Sequence, residues 1–344
     1  MNNKFIVMGG GALGLATAAA LLRQGDAVTL LERGSVGQES SWGGGGILSP
    51  LCPWDYPDAV NRLALRGAAL FGDWAEELLR TTGIDPEYRR CGMLVLPPFE
   101  LAAAKQWCAV HDVNMEGRGD ALFLPDVAQA RNPRLLQALR ARVEQLGGHI
   151  VEQCEVLQIV ADADRVSRLT TTRGEFSADG YIVTAGAWSR SLLGAHALQA
   201  DIKPIRGQML LFKFDVPPLP HIVLQKDLYL IPRRDGHLLV GSTLEDVGFD
   251  KRTTEDVQAQ LRQRAETLLP ALRGMPVVKH WAGLRPASSG NIPTIGRHPQ
   301  LQNLYLNSGH FRYGVTMSPA SVEVLLNIIN SAPQSFDVAA YRWR

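Results

Sequence analysis

The chain has little of what marks a specialised class of protein. Its 344 residues carry 35 basic and 34 acidic side chains, a formal net charge of +1, so no bulk attraction draws it to nucleic acid or to an anionic membrane. Cysteine is scarce: Cys52, Cys91, Cys108 and Cys154 are scattered with no CxxC or CxxH pairing, which argues against a zinc site and a disulfide framework and leaves them as reduced thiols. No apolar run approaches the roughly eighteen residues that a membrane span needs. The first strand is expected within four residues of Met1, which leaves no room for a signal peptide. Also missing are a Ser-His-Asp spacing, a metal-ligand cluster and a GxxxxGK[ST] loop, so nucleophilic hydrolysis and phosphoryl transfer drop out. The expectation is a cytoplasmic protein with small-metabolite partners, no metal, no nucleic acid and no membrane span.

What the chain does have is glycine in informative places. Phe5-Ile-Val-Met8 is an apolar run ending in Gly9-Gly10-Gly11-Ala12-Leu13-Gly14, followed by Ala18, Gly25 and, after a second apolar run, Glu32. Strand, glycine turn, helix and second strand closed by an acid make the βαβ unit that binds a dinucleotide. Gly9 permits the tight turn, Gly11 lets the backbone approach a pyrophosphate, and Gly14 and Ala18 let helix and sheet pack closely. The helix N-terminus offers unpaired N–H groups to the anion. Glu32 can accept from an adenosine ribose and disfavours a 2′-phosphate, so NAD or FAD is expected over NADP.

Residues 34–57 read as a loop with four consecutive glycines, Gly43 to Gly46, suited to close backbone approach to a flat cofactor. A helix is expected over 58–81, and residues 84–125 read as strand-like and Pro-punctuated, with Met93–Leu96 the clearest strand. Asn132-Pro133 reads as an N-cap followed by proline at the first helical position, opening a helix that Gly147-Gly148 stops. A strand over 149–160 and short strands around 166–177 lead to Tyr181–Ser189, a second strand-to-glycine turn that returns the chain to the nucleotide lobe. Residues 204–245 read as antiparallel strands, and helices are expected near 253–268 and after Ser318-Pro319. The expected division is a discontinuous nucleotide lobe of residues 1–83, 132–203 and 286–344, with a second lobe of residues 84–131 and 204–285.

Two arginines stand in glycine-rich, turn-forming sequence: Arg285 in Trp281-Ala-Gly-Leu-Arg-Pro286 and Arg312 in Gly309-His-Phe-Arg-Tyr-Gly314. A guanidinium fork matches a carboxylate with two parallel hydrogen bonds and suits the binding of an amino or hydroxy acid, although most arginines are surface residues. Tyr229 could place a hydroxyl on the same carboxylate or serve only as a wall residue. His310 invites a general-base role, but a lone loop histidine is more often structural.

Taken together, these segments resemble the D-amino acid oxidase family of flavoenzymes. The resemblance runs through Gly9–Glu32, Glu39–Pro50, Tyr181–Ser189, Trp281–Gly296 and Gly309–Ala320, and it is most specific in WAGLRP…IPTIGRHP and GHFRYGVTMSPA. It implies an α/β fold with a Rossmann-like FAD-binding domain and an antiparallel-sheet α+β substrate domain. It also implies catalytic Arg285, Tyr229 and Arg312, with Leu244 beside them in the substrate pocket. The implied cofactor contacts are Gly9, Gly11, Ala12, Leu13, Gly14, Glu32, Arg33, Ser40, Ser41, Trp42, Gly44, Gly45, Gly46, Ile47, Val156, Ala185, Gly186, Trp188, Arg285, and His310, Phe311, Arg312, Tyr313, Gly314, Val315 and Thr316. Related sarcosine oxidases tether their flavin through a cysteine near the segment matching 285–296, where this chain has none, so the FAD is expected to be noncovalent. The implied reaction is oxidation of glycine, sarcosine or small D-amino acids with O2, yielding H2O2. The resemblance is greatest to the branch that serves thiamine thiazole biosynthesis, with product hand-off to a thiazole synthase and a homo-oligomer among its implications. Alternatives are a dehydrogenase of D-amino acids or D-hydroxyproline with another electron acceptor, an NAD-dependent dehydrogenase, and a noncatalytic flavoprotein subunit.

Overall fold

The computed structural model describes residues 3–344. Its first elements are β1 (Lys4–Met8), α1 (Ala12–Arg23) and β2 (Ala27–Leu31). They are followed by α2 (Asp58–Thr82), β3 (Met93–Leu96) and α3 (Asn132–Gln145). Then come β4 (Gly180–Val183), β5 (Ile202–Lys213), β6 (Leu228–Pro232) and β7 (His237–Gly241). The last are β8 (Lys279–Ser288), β9 (Leu304–Ser308) and α4 (Gly314–Ile329).

Apolar strands and short crossovers give a six-stranded sheet in the order Thr294–Arg297, β9, β4, β1, β2, His149–Val151. Its pairs are parallel except for the first. Strands such as Tyr181-Ile-Val183 are buried on both faces, as a parallel sheet covered on both sides requires. Helices α1, α2, α3 and α4 pack on one another beside it. An eight-stranded sheet stands against this layer in the order β8, β5, β7, β6, Ile222–Gln225, β3, Ala121–Leu124, Glu116–Arg118. It is antiparallel except where Ile222–Gln225 runs parallel to β3, a departure from the purely antiparallel expectation. Strands β5 and β8 pair from Ile202↔Ser288 to Leu211↔Lys279 and join the two layers.

Four local expectations change. The last helix begins at Gly314 and not after Ser318-Pro319, with Pro319 inside its first turns, close to the helix end that tolerates proline best. The stretch over 84–125 contains a helix, Leu101–Val110, whose alanine-rich start was outweighed by the neighbouring prolines and strand-like runs. The strand expected over 149–160 is two: His149–Val151 ends the parallel sheet, and Val156–Asp162 belongs to a separate three-stranded antiparallel sheet. Gln153 between them has a positive φ of 54°, which breaks the extended run. Asn132 is the first residue of α3, with Arg131 at the N-cap position and no side-chain cap; the Asn132 amide is used elsewhere.

Helices α2 and α4 cross where α2 has a glycine. A Cβ at Gly67 would lie 2.2 Å from the Thr316 carbonyl oxygen and 3.0 Å from the Met317 Cα. Gly67→Ala is therefore expected to destabilise the protein by about 1–3 kcal/mol through overpacking, measured by urea denaturation; an unchanged midpoint would show that the helices separate at no cost.

Candidate active site

A cavity of about 430 Å³ opens where the C-terminal ends of β1, β4 and β9 meet the second sheet, the position at which open α/β sheets bind ligands. On the parallel-sheet side it is lined by Gly9, Gly11, Ala12, Leu13, Glu32, Arg33, Val156, Ala185, Gly186 and Trp188. The glycine loop contributes Ser40, Ser41, Gly44, Gly45, Gly46 and Ile47, the second sheet Tyr229 and Arg285, and the turn into α4 the run from His310 to Thr316.

Three expected residues stay outside this lining. Gly14 is buried against the sheet: a Cβ there would lie 1.8 Å from the Gly9 carbonyl oxygen, so its part is helix–strand contact. Trp42 packs edge-on against Trp281 with ring centroids 5.9 Å apart and is not among the lining residues. Leu244 is 49% exposed and lies outside the cavity lining, so the structure does not place it in a substrate pocket.

The dinucleotide end follows from local chain geometry. Helix α1 has no acidic residue in its first turn; its Ala12 N–H donates to the Ser41 hydroxyl at 3.0 Å, and the rest of its positive end faces the cavity, open to an anion. Each oxygen of Glu32 accepts one backbone N–H, from Gly10 at 2.7 Å and Gly34 at 2.8 Å, and keeps acceptor capacity for ribose hydroxyls.

The glycine loop is held from behind. The Gly43 carbonyl accepts from Trp281 Nε1 at 3.1 Å, Gly44 from Asn132 Nδ2 at 3.1 Å and Gly45 from Arg233 at 2.7 Å. Gly46 accepts from the Ala130 N–H at 2.9 Å and Ile47 from the Thr316 hydroxyl at 3.1 Å. The N–H groups of Gly45, Gly46 and Ile47 donate to no protein acceptor among the described residues, leaving them for a ligand. A Cβ at Gly46 would lie 2.1 Å from the Ala130 carbonyl oxygen, and its φ is +72°, so only glycine suits that position.

Arg285 is pinned on the opposite wall, its Nη1 donating to the Thr243 carbonyl at 3.0 Å and its Nη2 to the Ser242 hydroxyl at 2.6 Å. Burial lowers its pKa, partly offset by the nearby Tyr229. Neither Arg285 nor Arg312 has a carboxylate partner within ion-pair distance among the described residues, and Arg312 Nη2 is buried with no hydrogen-bond partner. Two guanidiniums facing one cavity without counter-ions call for an anionic ligand. His310 is buried and its Nε2 meets the Ser321 hydroxyl at 2.8 Å; burial pushes its pKa down to about 3. Held neutral by burial and engaged with Ser321, it is a weak base at neutral pH. Burial also raises the Tyr313 pKa well above its usual value.

Three further residues have no clear mark in the sequence. Asn132 bonds the Ser41 and Gly44 carbonyls. Asn307 lines the cavity fully buried, with both amide atoms lacking protein partners. Gly207 lies under Arg285, where a Cβ would be 1.9 Å from Nη1. Asn307 sits in an alternating strand and Gly207 in a turn-like Arg-Gly pair, so only the pairing of β5 with β8 and the cavity reveal their positions.

The family model described as FAD dependent oxidoreductase (DAO) matches residues 4–327. The chain belongs to this family. It is 42% identical to the glycine oxidase of Pseudomonas aeruginosa over 99% of this chain and 98% of that protein. It is 31% identical to the bifunctional protein ThiO/ThiG of Synechocystis sp. over 94% of this chain and 51% of that protein. The crystal structure of glycine oxidase from Geobacillus kaustophilus superposes with a TM-score of 0.94 at 26% identity, covering 100% of this chain and 99% of that one. FAD is thus the cofactor, and an NAD-dependent reading is set aside.

The residues present fit FAD. The α1 N-terminus and Glu32 suit pyrophosphate and ribose, and the free amides from Gly45 to Ile47 suit ring acceptors. The unpartnered amide of Asn307 adds a donor and an acceptor. As a member of this family the protein should keep its flavin when Arg285 is displaced. Gly207→Ala is expected to weaken binding of a small carboxylate such as glycolate by at least about tenfold, since charge-assisted hydrogen bonds are lost, with FAD retained. Titration followed by the flavin's visible spectrum measures this, and unaltered carboxylate affinity would show that Arg285 tolerates the methyl.

Proposed function

We propose that this FAD-dependent amino acid oxidase acts on glycine and other small amines, sarcosine and small D-amino acids among them. The observation that carries this reading is Arg285: a cation held by Thr243 and Ser242 on a wall shared with Tyr229, with room for a small carboxylate. Residues 1–83, 132–203 and 286–344 then form the FAD lobe, and residues 84–131 and 204–285 the substrate lobe.

In this reading Arg285 pairs with the substrate carboxylate and fixes the α-carbon, Tyr229 flanks the same group, and Arg312 stands at the pocket entrance. The chemistry supplied by bound FAD is acceptance of hydride from the α-carbon and return of the two electrons to oxygen. The protein adds orientation and exclusion of water. The N-terminus of α4, at Gly314 with no acidic residue in its first turn, favours negative charge where it accumulates. His310 and Tyr313 are not poised as bases, and in this reading the substrate amine reacts in its neutral form. The balance is glycine, water and O2 to glyoxylate, ammonia and H2O2. A noncovalent FAD agrees with the lack of cysteine in 285–296. Passage of the imine to a thiazole synthase is supported by the ThiO/ThiG name of a relative that matches over half of its length.

The deciding experiment is anaerobic addition of glycine while the visible flavin band is followed, then admission of air. Bleaching, recovery and peroxide are expected; bleaching without recovery would assign another electron acceptor, and no bleaching would exclude glycine. Arg285→Ala is expected to raise the apparent KM for glycine about 100-fold with FAD still bound, the size of a lost charge-assisted pair worth ~3 kcal/mol. Unchanged glycine kinetics would remove Arg285 as the carboxylate clamp.

A further inference from the structure

Arg233 lies immediately after β6 and behind the glycine loop, outside the cavity lining. It is 4% exposed, yet no carboxylate touches it. Glu87 and Asp235 lie close enough to attract it through space, but their direct ion pairs are with Arg131, at 3.2 Å and 2.8 Å. Arg233 Nη1 donates to Gln129 Oε1 at 2.6 Å and to the Ala130 carbonyl at 3.0 Å. Its Nη2 donates to the Gly45 carbonyl at 2.7 Å, and its Nε has no partner. Burial lowers its pKa to about 10, so it stays cationic at neutral pH.

These acceptors are all neutral, and a neutral donor could hold a carbonyl without the desolvation penalty of a buried charge. The layout of charge around the cavity gives the cation a use. Among the charged residues that line the cavity, Glu32, Arg33 and Glu155 stand on the dinucleotide side and Glu39 at the start of the glycine loop, whereas Arg285 and Arg312 line the side of Tyr229. Arg233 adds a third guanidinium there, one carbonyl away from the free amides of Gly45, Gly46 and Ile47. A buried charge that makes no direct ion pair is screened less than a solvated one.

We propose that Arg233 is a positioning residue for the flavin: through the Gly45 carbonyl it presents the amide edge of the loop, and its buried charge, hydrogen-bonded only to neutral acceptors, favours the reduced, more negative cofactor. This rests on FAD as the cofactor and not on the identity of the substrate.

The test is Arg233→Met in the holoenzyme, with the flavin potential measured against a reference dye and FAD affinity by titration of apoprotein. The two-electron equilibrium is expected to shift at least about tenfold toward oxidised flavin, a fall of about 30 mV, with FAD binding weakened. An unchanged potential overturns the proposal even if FAD binding weakens, because a merely structural loop support would loosen the seat without moving the potential. Should the single variant fail to fold, Arg233→Met combined with Gln129→Leu replaces both partners by apolar groups, and the same shift is expected. Arg233→Lys keeps the charge and is expected to hold the equilibrium within about threefold of the parent. A lysine variant whose potential falls as far as that of the methionine variant also overturns the proposal. Neither readout uses an amino acid, so failure here is distinct from failure of the glycine reading.

Discussion

Five consecutive carbonyls, from Gly43 to Ile47, are held by donors from four separate segments of the chain: Trp281 on β8, Ala130 and Asn132 at the start of α3, Arg233 after β6, and Thr316 on α4. This clamp ties the two sheets and the helical layer to a segment with almost no side chains of its own. A flexible glycine run loses much entropy on ordering, and the five bonds offset that cost in the native state. The result is a backbone edge whose carbonyls are engaged and whose amides from Gly45 to Ile47 have no protein acceptor among the described residues. The flavin site thus depends on contacts made mainly behind it.

The second organising feature is the separation of charge in one cavity. Glu32 stands where hydroxyls of a ribose would be bound, and Arg285 and Arg312 stand unpaired where an anion would be bound. Most other arginines described here are paired: Arg206 meets Glu245 and Asp250, Arg66 meets Glu323, and Arg140 meets Glu144 and Glu152. Pairing is the ordinary solution for a partly buried cation, so two unpaired guanidiniums lining one cavity single it out. The same reasoning retires His310, whose burial against Ser321 makes it a neutral part of the core.

Much of this was legible before any coordinates. The parallel βαβ unit follows from Phe5–Glu32, because apolar runs, glycine spacing and the closing acid act locally. The helix over 58–81 and the antiparallel run over 204–245 follow from periodicity in the same way. What was misread depended on distant partners. The helix Leu101–Val110 lies between proline-rich strands, the 149–160 run divides between two sheets, and Leu244 lies outside a pocket that it was expected to line. The Asn132 side chain leaves the cap for the glycine loop because two carbonyls, at Ser41 and Gly44, are brought to it.

By itself the sequence determined the nucleotide-binding unit, the glycine-rich segment, and the two arginine motifs, since each is written in contiguous residues with local conformational demands. Only the tertiary structure decided that Arg285 and Arg312 face one cavity without counter-ions, that Gly207 leaves room for Arg285, that Asn307 has a buried unsatisfied amide there, and that Arg233 holds the loop from behind. Those facts depend on strand register and on which side chain finds which carbonyl across tens to hundreds of residues. No local pattern encodes such pairings, because the energy that selects them comes from burial and hydrogen bonding shared among distant segments.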